Sequence, residues 1–335
     1  MDSGVATAPD PLLPPPRWRD PVGWHAVALL LTIATTTAAG ALHWAGFTAG
    51  DAASPDPTNL AFWLGGLSFS APVLAILGAH EFGHYAACRY YDVDATLPWF
   101  LPAPLPLTGT LGAFIRLREP IPHPRALFDI AVAGPLAGFV VAVPLLVVGI
   151  AWSRVIPVPE NGGGLLLGDP LLFQLFERLL WGDIPDAQAL FVHPTGLAAW
   201  FGLLATALNL FPFGQLDGGH ITYALFGRRA RWLSAATLLA TVALAYGSLS
   251  WGAWSVLLLL MTAVHGVGHP PTLDDGESLG RGRRWLAVVA ALVLVLCFTP
   301  RPIELMDEGS DQGPETGEQG RFSDAPYAGR NTDVT

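Results

Sequence analysis

Residues 60–88 read LAFWLGGLSFSAPVLAILGAHEFGHYAAC, an apolar run interrupted only by His80, Glu81 and His84. A helix needs about 20 consecutive apolar residues to cross a bilayer core. An ionisable side chain inside such a helix is costly, and three together mark a functional site. Positions i and i+4 share one helix face, so both imidazoles can grip a single metal ion. Glu81 beside them is placed to take a proton from water at that ion. The plain alternative is a polar helix face packed against a neighbour.

Working outward, further apolar runs cover 26–47, 130–152, 196–213 and 285–299, and a long one extends over 232–267. Gly247, Ser248, Ser250 and Gly252 supply a turn within the last of these, dividing it into 232–249 and 251–267. The expected fold is therefore an all-α polytopic membrane protein with seven transmembrane helices, or six if the long run does not fold back. Composition agrees: 52% of residues are apolar and 13% charged, with a mean hydropathy of +0.44. Soluble domains carry about a quarter charged residues, so a soluble enzyme and a disordered chain are both excluded. The net charge of −10 comes from 27 acidic and 17 basic residues, every basic one an arginine. Scattered arginine clusters in an acidic chain offer no stripe for a phosphate backbone, which excludes a nucleic-acid partner. Cys88 and Cys297 lie in apolar runs and imply no disulfide framework.

Arginine placement orients the chain. Arg17, Arg19, Arg89, Arg116, Arg118, Arg125, Arg228, Arg229, Arg231, Arg281, Arg283 and Arg284 all fall on one side if there are seven helices. The positive-inside rule makes that side cytoplasmic in a multi-pass plasma-membrane protein. The prolines of residues 8–22 beside Arg17 and Arg19 argue against a cleaved signal peptide. Three regions follow: a Pro-rich cytoplasmic segment (1–22), a transmembrane domain (23–299) and an acidic, disordered tail (300–335).

Two histidines and a water leave a tetrahedral zinc one ligand short. The 196–213 run leads into Asn209-Leu-Phe-Pro212-Phe-Gly-Gln-Leu-Asp217-Gly218-Gly219-His220. Pro212 would end the helix, and Gly218-Gly219 would let the backbone turn Asp217 back. Asp217 and His84 then meet at a similar depth near the cytoplasmic side. Cys88, four positions after His84, reads as packing. His220 is either a neighbour supporting Asp217 or a solvent-exposed end residue. The remaining histidines (His25, His43, His193, His265, His269) read as interfacial, and Trp99, Trp152, Trp181 and Trp285 as interface anchors.

His80-Glu81-x-x-His84 followed by Asn209-x-x-Pro212-x-x-x-Leu216-Asp217-Gly218 resembles the site-2 protease family of intramembrane zinc metalloproteases. The resemblance implies one zinc ion per chain held by His80, His84 and Asp217, with Glu81 as catalytic acid/base. It implies cleavage of membrane-spanning protein substrates within the lipid bilayer, with an accessory or upstream protease as partner. Asn209 would help hold substrate or the oxyanion. The segment 109–114, including Gly112, looks like the family's short β-hairpin or re-entrant piece beside the active site, and its strand edge could pair with an unwound substrate. Gly134-Pro135-x-x-Gly138 resembles a third-helix motif and reads as a close-packing face. Many relatives carry an inserted PDZ domain or a following CBS pair. The 153–195 interval is too short for the first and the tail too short and polar for the second. Three competing readings remain at this point: a divalent-metal transporter, a metalloprotease whose third ligand is a downstream Glu, and an inactive membrane-protein binder of the same fold.

Overall fold

The computed structural model describes residues 21–49, 56–158, 165–185, 187–274 and 278–305. The segment 1–20, the acidic loop around 51–55 and the tail beyond 305 lie outside these, so the Pro-rich reading of residues 1–20 and the disordered reading of the tail beyond 305 concern residues not described.

Three helices are long and apolar enough to cross a membrane: α1 (Val22–Ala49), α2 (Leu60–Tyr90) and α3 (Pro124–Ala151). The protein is a mostly helical membrane protein. The other four expected segments are helical too, as α5 (Pro194–Leu210), α7 (Ala230–Leu244), α8 (Leu249–His265) and α9 (Arg281–Cys297). These hold 15 to 17 residues, short of the usual spanning length. Two helices were not foreseen. α4 (Leu171–Trp181) lies in the 153–195 connection, and α6 (Asp217–Phe226) follows the turn after α5.

Capping explains several boundaries. Asn59 accepts the Ala61 N–H at 2.9 Å and starts α2. His123 and His193 do the same for α3 and α5, their Nδ1 atoms accepting the Ala126 and Thr195 N–H groups at 3.1 Å. Each is followed by a proline at the first helical position, where a missing N–H costs nothing. His193 and His25 are both buried within the protein.

α3 packs antiparallel on α2, and α5 packs on both. The resulting core contains Ile76, Phe128, Leu146, Trp200 and Leu203. Strands β1 (Trp99–Pro102) and β2 (Thr110–Phe114) form an antiparallel hairpin that lies along α1. At its base His25 donates to the Pro98 carbonyl (3.2 Å) and packs its ring, tilted by 41°, against Trp99. At its tip His43 donates to the Leu107 carbonyl (2.9 Å). Those two histidines stand about 27 Å apart on an ideal helix. Within the 153–195 connection, β3 (Arg154–Pro157) pairs with β5 (Gln188–Phe191). β4 (Leu165–Leu167) pairs with β6 (Ile303–Leu305), so the start of the expected disordered tail is ordered.

α9 is tied to the core by a charged clamp. Arg283 grips Asp129 of α3 through two bonds of 2.7 and 2.8 Å, and Tyr91 donates to the same carboxylate. The pair is largely shielded, with side chains about 30% exposed or less. Asp129→Ala is expected to cost about 1–3 kcal/mol by stranding the guanidinium, read as a lowered Tm in detergent.

Candidate metal centre

α2 carries His80, Glu81 and His84, all buried, in the half of the helix nearest the hairpin base. The glycine motif of α3 faces them. A Cβ at Gly134 would stand 2.1 Å from His84 Nε2, and one at Gly138 would stand 3.2 Å from His80 Cβ. The close-packing reading of that motif holds, and its partner is the pair of imidazoles. Gly134→Ala is therefore expected to displace His84 and cut metal occupancy at least about tenfold, although alanine favours the helix. Metal analysis beside circular dichroism checks this.

Asp217 arrives from the other side. α5 ends at Leu210, two residues before Pro212, and the chain turns sharply before α6 begins at Asp217. The turn needs glycine: a Cβ on Gly218 would lie 2.0 Å from the Leu210 carbonyl oxygen. Asp217 thus occupies the first turn of a helix, where the positive end of the helix dipole favours a carboxylate.

The three side chains converge. His80 Nε2 and His84 Nε2 are 3.0 Å apart, and Asp217 Oδ2 lies 3.3 and 3.4 Å from them. These atoms are close enough to hold one metal ion. Bonds of about 2.0–2.2 Å in a tetrahedral zinc site place donors about 3.3–3.6 Å apart, close to the spacing found. The donor chemistry fits as well. His84 Nδ1 gives its proton to the Ile130 carbonyl at 2.8 Å, which leaves Nε2 as a lone pair aimed at the cluster. Lone pairs and a carboxylate oxygen facing one point repel unless a cation or proton sits among them.

These groups line a cavity of about 250 Å³ together with Glu81, Asn209, His220 and Ala113 to Ile115 of the hairpin. The Glu81 carboxylate lies beside the Ile115 backbone amide, and Asn209 Nδ2 stands 3.4 Å from His80 Nε2. Gly112, at φ +104, is not among the lining residues; its N–H goes to Thr110 Oγ1. His220 is a wall residue whose Nδ1 is 2.5 Å from His269 Nε2. Cys88 packs with Val93, Ala95 and Ile130 and does not itself line the cavity. The Ile115 amide and the Ile130 carbonyl escaped the sequence reading, because backbone groups leave no residue-type signal.

The architecture and the cluster together define a membrane protein with a candidate metal centre buried among its helices. A model of peptidase family M50 matches residues 68–249, and the chain belongs to this family, that of the site-2 proteases. It is also similar to named plant proteins. The probable zinc metalloprotease EGY1, chloroplastic, of Oryza sativa subsp. japonica is 32% identical over 78% of this chain and 46% of its own length. EGY1 of Arabidopsis thaliana is 32% identical over 70% of this chain and 43% of its own length. The probable zinc metalloprotease EGY2, chloroplastic, of Oryza sativa subsp. indica is 33% identical over 51% and 31%. The chain thus spans less than half the length of these relatives.

Proposed function

We propose that this protein is a zinc-dependent endopeptidase that hydrolyses peptide bonds in membrane-spanning segments of other proteins. The observation that carries the reading is the convergence of His80, His84 and Asp217 from two distant parts of the chain, with Glu81 in the same cavity. His80, His84 and Asp217 hold the zinc ion, which supplies Lewis acidity to the scissile carbonyl and to water. Glu81 accepts a proton from water and delivers it to the departing amine. Ile115 of the hairpin and Glu81 line the same cavity, so the hairpin shields the carboxylate during both transfers. Asn209 holds the substrate amide beside His80. Ala113 and Phe114 carry the open edge of β2 to the cavity, where an unwound substrate strand can add. Gly112, one residue further out, meets that strand through its backbone.

The hairpin is read as re-entrant, because its base and tip contact opposite halves of a helix that itself crosses the bilayer. Residues 23–299 form the proteolytic domain, crossing the plasma membrane seven times. The arginine clusters put the metal cavity toward the cytoplasm. An upstream protease that shortens substrates is the expected partner. Family membership favours this reading over metal transport and over an inactive binder.

Purified protein in vesicles should cleave a model transmembrane substrate, lose activity with a chelator and regain it with zinc. Cleavage unaffected by chelation would overturn the reading.

A further inference from the structure

We infer that a second cavity, at the opposite end of the hairpin from the metal cluster, receives a basic side chain of the substrate segment being cleaved. The inference rests on the proteolytic reading above. The cavity measures about 600 Å³, within the range of ligand sites. Phe173, Leu190, Phe191 and Trp200 give it apolar walls, and Asp169 and Glu177 give it two carboxylates.

No arginine lines it. Arg178, next to Glu177, pairs with Asp183 at 3.2 Å, and the Arg154 guanidinium lies over the Phe47 ring at 4.2 Å. Among the described residues neither Asp169 nor Glu177 has an ion-pair partner. Burial, and then the negative charge of Asp169, raises the Glu177 carboxyl above its ordinary range, against a smaller opposing pull from Arg178. An ammonium or guanidinium entering between them relieves both effects, and the aromatic walls accept its apolar stem.

Continuity with the hairpin selects a peptide as occupant. His43 and Leu107, which join α1 to the hairpin tip, both line this cavity. His43 also packs on Phe69 of α2, about 16 Å up the helix from His80. Strand β2 covers the same interval: from Thr110 to Ile115 an extended chain runs about 16 Å. A substrate strand added to β2 at the metal cavity therefore brings a side chain about five residues from the scissile bond to the second cavity.

The test uses the full chain in phosphatidylcholine vesicles with three transmembrane substrates. They differ only at the position about five residues outward from the cleaved bond, carrying Arg, Gln or Glu. The Arg substrate is expected to show a KM about tenfold below that of the Glu substrate, with similar kcat. Glu177→Gln should bring the ratio toward one, and Glu177→Arg should invert it, which a merely structural role would not do. If those variants fail to fold, the wild-type series decides alone, and equal KM values for the three substrates overturn the inference. Binding of the labelled substrates to the Glu81→Gln protein separates this question from proteolysis. Preferential binding of the Arg substrate supports the cavity assignment even where no cleavage occurs, and indifferent binding refutes it while cleavage of the Gln substrate still upholds the proteolytic reading. A preference that disappears when phosphatidylethanolamine is added assigns the cavity to a lipid amine and refutes the peptide occupant.

Discussion

Glu81→Gln is expected to lower cleavage of a transmembrane substrate by at least about a thousandfold while bound zinc stays at one per chain. The amide keeps the size of the carboxylate but cannot take up and release a proton. His80, His84 and Asp217 are untouched, so metal content and folding should match the wild type. Single-turnover cleavage and elemental analysis of the same preparation measure both quantities. Residual activity within about tenfold of wild type would remove Glu81 from the proton-transfer role.

Asp217→Ala should have the opposite signature, losing metal first and activity as a consequence. It deletes one of three converging donors and leaves two imidazoles with 3.0 Å between their Nε2 atoms. Zinc affinity should fall at least about a hundredfold, since even groups that only support a ligand are worth 10–100-fold. Zinc retention after dialysis against a graded chelator reads this directly. Unchanged retention would mean that another carboxylate completes the site, as in metalloproteases whose third ligand is a glutamate. Because Asp217 lies at the start of α6 rather than inside it, the substitution should leave the helical signal almost intact.

The centre of the fold was legible in the sequence for a physical reason. A long apolar run admits few structures in lipid, and an i, i+4 histidine pair has a fixed geometry once the run is helical. The boundaries of α2 were accordingly close, and the turn between α7 and α8 fell where Gly247 and Ser248 stand. Asp217 was legible through Pro212 and Gly218, which announce a break and a close return. What stayed hidden depends on tertiary context. α6 follows directly on a Pro- and Gly-rich turn, so its ten residues carry no start signal separate from that turn. The pairing of β4 with β6 joins short segments far apart in the chain, and three-residue strands have no readable period, whereas the apolar residues of α4 (Leu172, Leu175, Phe176, Leu179) recur at helical spacing and were readable. The caps His123 and His193 were missed because histidine is not among the residues ordinarily sought at a helix start.

The hairpin leans on α1 from His25 to His43, yet α1 precedes residue 68, where the match to the family begins. A minimal enzyme trimmed to the recognisable peptidase region would keep every metal-binding side chain and still lose the support that aims Ala113, Phe114 and Ile115 at the cavity. Engineering a smaller version thus has to start upstream of Val22, and a fusion placed at residue 60 should yield a protein that loads zinc but handles substrate poorly.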